Sequence, residues 1–160
     1  MKVFDIDQTL IPSLEFYAKE NISDCMKPNL NANDLYQVFE TEESFKLFAK
    51  NINEIRFKAL QSNVVYRPIG NHTTEKIILI SDFFPTSDII TLLEHTFNVR
   101  IVGFFYDIKS LESYVDNYIL YDDSPKRIEE TTKAKQIYIV DQPWNRHLQI
   151  GQRIKPFYSL

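Results

Sequence analysis

The chain has 160 residues, a mass of 18.9 kDa and a formal net charge of −4. Apolar residues make up 44% and charged residues 25% of it, which excludes a disordered chain and indicates a globular protein with a substantial core. The negative charge argues against a nucleic-acid partner, and no apolar run approaches the ~20 residues of a membrane span. Asp5 and Asp7 lie too early for a signal peptide. We therefore expect a soluble, cytoplasmic protein; the sequence leaves its oligomeric state open.

Five short apolar runs rich in Ile, Val, Phe and Tyr predict β-strands. Most of them lack the alternation of a strand with one solvent face, a pattern typical of parallel strands covered by helices on both sides. From residue 76 onward these runs alternate with helical patterns, which is the order of a doubly wound α/β sheet. The predicted strands span residues 2–4, 76–80, 99–105, 118–121 and 137–140.

A long segment separates the first two predicted strands. Residues 11–75 are far more than a crossover connection needs, and apolar residues within 42–60 recur every three or four positions, as in an amphipathic helix. We predict a mainly helical insert at 11–75 and a core formed by residues 1–10 and 76–160. Further helices are predicted after Pro85 and after Ser124, a favoured capping residue.

Polar side chains follow four of the predicted strands. Because ligands bind beyond the carboxyl ends of the strands in an open α/β sheet, we expect these side chains to share one crevice. Clustered carboxylates need a cation, and oxygen ligands without Cys or His favour Mg²⁺. A carboxylate nucleophile, a hydroxyl and an ammonium are also the groups that metal-assisted phosphoryl transfer uses. These strand-end residues are Asp5, Asp7, Ser81, Asp82, Asp107, Lys109, Asp122 and Asp123.

Three stretches resemble motifs of the haloacid dehalogenase (HAD) superfamily and occur in that superfamily's order. The first is VFDIDQTL at 3–10, which resembles Asp-x-Asp-x-Thr after a strand. The second is IILIS at 77–81, a strand ending in Ser, and the third is YILYDDSP at 118–125, a strand ending in paired acids. The resemblance implies an α/β fold: a HAD-like Rossmannoid core with a five-stranded, mainly parallel sheet and a small helical cap inserted after the first strand.

Two further stretches resemble the 5'(3')-deoxyribonucleotidases of that superfamily. They are the Asp-Ile-Lys segment at 107–109 and IVDQPWN at 139–145, where we expect Trp144 to pack in the core and Asn145 to form a turn. The resemblance implies a Mg²⁺-dependent 5'-nucleotidase that hydrolyses (deoxy)ribonucleoside 5'-monophosphates. The alternatives are a phosphatase for nucleic-acid ends or another small phosphometabolite, and a non-catalytic binding or regulatory protein of the same fold.

The resemblance also assigns roles to single residues. Asp5 is the expected nucleophile, Asp7 the general acid and base, and Lys109 the cation that neutralises the aspartyl phosphate. Substrate binding falls to Thr9, which supports the first-motif loop, and to Ser81, which contacts the phosphate.

The expected metal is Mg²⁺, held by Asp5, the backbone carbonyl of Asp7 and Asp123, with Asp122 in support. Gln8 stands where the superfamily more commonly has Gly.

Lys126 is an alternative candidate for the cation that neutralises the aspartyl phosphate. Lys109 lies 13 residues before Asp122, near the spacing of the family, whereas Lys126 falls at a predicted helix start. We therefore prefer Lys109.

Overall fold

The computed structural model describes residues 1–20, 26–71 and 73–160. None of its helices is long and apolar enough to cross a bilayer. The strands are β1 (Lys2–Asp5), β2 (Val65–Tyr66), β3 (Glu75–Ile80), β4 (Val99–Phe105), β5 (Tyr118–Asp122), β6 (Ala134–Val140), β7 (Gln152–Ile154) and β8 (Tyr158–Ser159). The α-helices are α1 (Ser13–Glu20), α2 (Glu42–Lys50), α3 (Ile52–Leu60), α4 (Ser87–Phe97), α5 (Ile108–Glu112) and α6 (Pro125–Glu130). Short 3-10 helices cover Leu35–Gln37 and Pro143–Asn145.

One parallel sheet dominates the structure and confirms the predicted α/β class. Within the described residues its strand order is β4-β3-β1-β5-β6-β7, and each neighbouring pair is parallel. Counted along the chain within this sheet, the order is 3-2-1-4-5-6, that of a doubly wound fold. The order reverses between β1 and β5, so a crevice is expected beyond the carboxyl ends of these strands.

The central strands are buried on both faces, which explains why their apolar runs do not alternate with polar residues. Phe4 and Leu79 belong to one core cluster with Leu93 of α4. Their neighbours Val3 and Ile80 belong to a second cluster on the other face. That second cluster also contains residues of α5 and α6.

The sheet has six strands in the described residues where the sequence predicted five. All five predicted runs form strands, and β7 adds a sixth that pairs with β6 at the edge of the sheet. Its sequence, Gln-Arg-Ile, is short and polar because an edge strand needs little apolar surface. A search for apolar runs in the sequence therefore does not detect β7.

The segment 11–75 contains α1, α2, α3 and β2. The single helix predicted over 42–60 is two helices, because the backbone at Asn51 leaves helical geometry between α2 and α3. A third core cluster joins these helices to Trp144 of the core. Helix α3 also packs against α1 of the same segment and against α4 of the core, which ties this insert to the core.

The C-terminal tail completes the loop that follows β1. β8 pairs with β2, and the backbone N–H of Phe157 donates a 3.0 Å hydrogen bond to the carbonyl of Thr9. The Phe157 ring is buried against Phe4 and Tyr121. The tail therefore positions the first-motif loop, a role that its sequence did not predict.

Truncating this anchor should destabilise the fold. Phe157→Ala removes a buried ring and leaves a cavity beside β1, so we expect the free energy of unfolding to fall by about 3 kcal/mol in urea denaturation. Leu160→Ala, at a largely exposed position just beyond β8, should change it by less than ~0.5 kcal/mol. Equal effects of the two substitutions would show that Phe157 is not an anchor.

Candidate functional site

Three predicted site residues meet in one buried cluster at the reversal of strand order. Asp5 ends β1, Asp122 ends β5, and Asp123 follows it. One carboxylate oxygen from each lies within 4.8 Å of the others, and all three residues are buried. The sequence correctly placed these acids at strand ends, and the parallel pairing of β1 with β5 brings them together.

A buried arginine neutralises part of this charge. Arg127 Nη2 lies 2.8 Å from Asp5 Oδ1, and Arg127 Nε lies 2.7 Å from Asp122 Oδ2. Arg127 Nη1 lies 3.3 Å from the exposed carboxylate of Asp82. Burial opposes ionisation of the guanidinium, but the Asp122 and Asp5 charges outweigh it and raise the pKa of Arg127. The cation of the cluster is therefore an arginine that the sequence analysis did not single out.

The local sequence explains how Arg127 reaches the cluster. The Ser124 side chain caps α6 by accepting from the Arg127 backbone N–H, and Pro125 suits the first turn. Arg127 therefore lies in the first turn of a helix that begins just beyond the paired acids. The sequence signal that could have identified Arg127 as a site residue was a basic residue five positions after Asp122.

The segment 142–145 orients Asp123. Trp144 Nε1 donates a 3.0 Å hydrogen bond to Asp123 Oδ2, and Asn145 Nδ2 donates a 2.9 Å bond to the Asp123 carbonyl. The Thr9 hydroxyl lies 3.3 Å from Asp5 Oδ2 and 3.4 Å from Asp123 Oδ1, so it can donate to either carboxylate. Trp144 packs in a core cluster as expected, and it also holds a carboxylate of the candidate site.

Crowding makes these carboxylates hard to ionise. Burial raises the pKa of Asp5 well above its ordinary value, and the charges of Asp122 and Asp123 add to this, although Arg127 opposes it. Burial also raises the pKa of Asp123, to about 6. Asp5 and Asp123 each contribute to the shift of the other's pKa, so the two carboxyl groups titrate as an interacting pair.

Asp7 lies apart from the cluster and has its own cation. Arg56 of α3 donates from Nε to Asp7 Oδ1 at 2.9 Å and from Nη2 to Asp7 Oδ2 at 2.6 Å. The Ser13 hydroxyl donates to Oδ1 as well. Arg56 also lies 3.1 Å from the hydroxyl of Ser81, which follows β3. The fully buried guanidinium of Arg56, a residue of the insert, therefore lies between the predicted site residues Asp7 and Ser81.

Gln8 has a left-handed backbone, with φ at 64°. This conformation suits Gly, the residue that the haloacid dehalogenase resemblance implies at this position, because Gly adopts it without a steric penalty. Gln8 compensates through its buried side chain, whose Oε1 accepts from the Leu14 N–H and whose Nε2 donates to Glu15. Gln142 also donates to the Gln8 carbonyl at 3.0 Å, so the departure from Gly leaves the loop well supported.

A cavity of about 490 Å³ opens beside the cluster. Its lining includes the polar residues Asp5, Asp7, Ser81, Asp123 and Arg127. Aromatic residues, mostly from the insert, also line the cavity. This aromatic chamber consists of Tyr36, Phe39, Phe45, Phe48, Phe83 and Trp144.

The structure does not bring the two candidate lysines to the cavity. Lys109 lies in α5 and Lys126 in α6, and both are exposed and absent from the cavity lining. Asp107 caps α5 by accepting from the Ser110 N–H. Asp122 is buried behind the lining, where Arg127 and the Ser124 N–H occupy both of its oxygens.

Comparison with protein-family models, curated proteins and solved structures found no match for this chain. The function proposed below therefore rests on the geometry and chemistry of the site.

The raised pKa values predict an unusual pH dependence of stability. Between the ordinary carboxyl pKa of 3.8 and about 6 at Asp123, the folded chain binds more protons than the unfolded chain. The free energy of unfolding of the metal-free protein should therefore fall as the pH rises through this window. Urea denaturation with a chelator at about pH 5 and about pH 7.5 measures it, and Asp123→Asn should remove much of the difference.

The exposed Asp116 provides a matched control, because its ion pair with Lys133 lies at the surface. Asp116→Asn should keep the pH dependence of the unaltered chain. If Asp123→Asn kept it too, Asp123 would not be its source.

Proposed function

We propose that the protein is a Mg²⁺-dependent phosphomonoesterase that acts through an aspartyl phosphate on Asp5, with (deoxy)ribonucleoside 5'-monophosphates as substrates. The observation that carries this proposal is the buried cluster of Asp5, Asp122 and Asp123 at the crevice of a doubly wound sheet. A cluster of this kind, opening on a cavity, suits a divalent cation and a phosphoryl group better than an apolar ligand.

The donor set fits a hard divalent cation. Among the described residues its ligands are carboxylate oxygens, without sulfur or imidazole, and the charge left after pairing with Arg127 is negative. Asp5 and Asp123 line the cavity and would hold the ion together with the Asp7 carbonyl, while Asp122 supports them through Arg127. When bound, Mg²⁺ supplies positive charge to the phosphoryl oxygens.

Asp5 is the group placed to attack phosphorus. Its Oδ1 is held by Arg127 and its Oδ2 lies near the Thr9 hydroxyl, so the carboxylate has a fixed orientation beside the cavity. In the attack, an Asp5 oxygen bonds to phosphorus as the bond from phosphorus to the leaving oxygen breaks. Water then attacks the same phosphorus, releases inorganic phosphate and restores the Asp5 carboxylate.

Asp7 is placed to move protons for both steps. It lines the same cavity, two residues after Asp5, and its side chain is 15% exposed. It gives a proton to the leaving oxygen and later takes one from the attacking water, so the two transfers balance. Ser81, also on the lining, supplies a hydroxyl for the phosphate oxygens.

Arg127 is the cation best placed to balance the negative charge of the phosphorylated Asp5. It contacts Asp5 directly and lines the cavity, whereas Lys109 does neither. A guanidinium beside the nucleophile stabilises charge that develops during phosphoryl transfer.

The aromatic chamber supports a substrate with an aromatic part. Its rings offer faces on which a nucleobase can stack, and stacking accepts every base. The cavity of about 490 Å³ is large enough for a mononucleotide but gives no extended basic groove for a nucleic-acid strand. This favours nucleoside monophosphates over nucleic-acid ends.

Phosphate release from a panel of phosphomonoesters, with and without Mg²⁺, tests the proposed function. The panel holds the common 5'- and 3'-nucleotides, a phosphorylated oligonucleotide, several sugar phosphates and a chromogenic aryl ester. We expect Mg²⁺-dependent release that favours the 5'-mononucleotides. Release from other esters alone would keep the chemistry and overturn the substrate, and no release from any ester would favour a non-catalytic binding protein.

Asp5→Asn should abolish turnover and leave the fold intact. The amide is a poor nucleophile but has nearly the shape of the carboxylate, so we expect kcat to fall by at least ~10³-fold. Steady-state phosphate release measures kcat, and circular dichroism checks the fold. The exposed control Asp116→Asn should retain the activity of the unaltered chain, and full activity in Asp5→Asn would contradict the mechanism.

Two substitutions test whether Arg127 or Lys109 balances the charge of the phosphorylated Asp5. Arg127→Lys keeps the charge but loses the two-point contact with Asp5 and Asp122, so we expect kcat to fall by about 10²-fold. Lys109→Met should lower kcat much less, because its side chain is exposed outside the cavity. A larger fall in kcat for Lys109→Met than for Arg127→Lys would instead identify Lys109 as the cation that balances the charge of the phosphorylated Asp5.

A further inference from the structure

Arg56 uses all of its hydrogen-bond donors within the protein. Its Nε and Nη2 bind the two oxygens of Asp7, and Nη2 also reaches the Ser81 hydroxyl. Its Nη1 donates to Asn53 Oδ1 at 3.1 Å and to the Phe83 carbonyl at 3.2 Å. The side chain is fully buried and does not line the cavity. Arg56 therefore has no donor left for a ligand, and any influence on the substrate passes through its partners.

Ser81 is the partner whose hydrogen bonding this arrangement fixes. Its Oγ accepts from Arg56 Nη2 at 3.1 Å and from the Phe83 backbone N–H at 3.1 Å. A hydroxyl oxygen has two acceptor lone pairs, and both are taken. Its proton has no acceptor among the described residues, although the residue is only 2% exposed and lines the cavity. The Ser81 hydroxyl can therefore act toward the cavity only as a donor.

A donor at this point suits a phosphate oxygen, which accepts hydrogen bonds and donates none when the phosphate is a dianion. The same guanidinium fixes the orientation of the Asp7 carboxyl group. Arg56 thus holds the hydroxyl of Ser81 and the carboxyl group of Asp7 side by side at the cavity wall, after β3 and after β1.

We propose that Arg56 is a positioning residue, by which the insert helix α3 makes the Ser81 hydroxyl an obligatory donor to the substrate phosphate and holds Asp7 beside it. This inference rests on the proposed phosphatase function, because it assumes that the cavity receives a phosphate. It also gives the insert a part in the chemistry besides lining the aromatic chamber.

The coupling between Arg56 and Ser81 tests this role without measuring turnover. The dissociation constant of inorganic phosphate, in the presence of Mg²⁺, is measured by calorimetry for the unaltered chain, Ser81→Ala, Arg56→Lys and the double variant. Arg56→Lys keeps the positive charge but cannot reach Asp7 and Ser81 together. We expect each single substitution to weaken phosphate binding by about tenfold, and the double variant to be no more than ~2-fold weaker than Ser81→Ala.

Two further variants control for a general effect on α3 and for a failure of Arg56→Lys to fold. Lys58→Gln, on the exposed side of the same helix, controls for a general effect of altering α3 and should leave phosphate binding within ~2-fold. If Arg56→Lys does not fold, Asn53→Ala loosens Arg56 from a half-buried position that tolerates the change better. It should weaken phosphate binding about threefold, and only when Ser81 is present.

Opposite results separate the two proposals. If Arg56→Lys weakened phosphate binding equally in the unaltered chain and in the Ser81→Ala variant, or not at all, the positioning role would be overturned while the phosphatase function stood. If the unaltered chain bound no phosphate and released none from any ester, both proposals would fall.

Discussion

Three carboxylates buried side by side repel one another, and the candidate site is organised by the need to balance their charge. Arg127 supplies one positive charge to Asp5 and Asp122, and burial raises the pKa of both Asp5 and Asp123. A divalent cation at the cluster would add positive charge and favour the ionised carboxylates. The same electrostatic strain that makes the metal-free cluster unfavourable therefore makes it a strong candidate for binding a metal.

The surrounding structure serves to hold these charges in place. The parallel pairing of β1 with β5 sets the acids next to one another, and the tail residue Phe157 secures the Thr9 loop. Trp144 fixes Asp123 from a 3-10 helix beyond β6. A second cation, Arg56, enters from the insert and pairs with Asp7. Core and insert thus contribute one buried arginine each: Arg127 pairs with Asp5 and Asp122, and Arg56 pairs with Asp7.

Much of this could be predicted from the sequence, because the strongest signals in it are local. Apolar runs located five strands, and the acids at their ends indicated the crevice where Asp5, Asp122 and Asp123 meet. The polar edge strand β7 lacked such a signal, and the break at Asn51 between α2 and α3 was hidden by continuous helical periodicity. The haloacid dehalogenase resemblance, with its cap, remains a prediction.

The two arginines illustrate what a single sequence does not carry. Arg56 lies 49 positions from Asp7, so only tertiary packing of α3 reveals the pair. Arg127 was available as a cation near the paired acids, but Lys109 matched the expected spacing better, and the exposure of Lys109 is a property of the folded chain. The left-handed backbone disfavours glutamine at position 8, and only the folded chain shows the buried side-chain hydrogen bonds that compensate for it.

The most direct test of the proposed mechanism is chemical trapping of the proposed aspartyl phosphate. The protein is reduced with borohydride during turnover of a phosphomonoester with Mg²⁺, and its peptides are mapped by mass spectrometry. We expect residue 5 alone to become homoserine, and only when both ester and Mg²⁺ are present. Phosphate release with residue 5 unmodified, or with another residue modified, would contradict an Asp5 nucleophile.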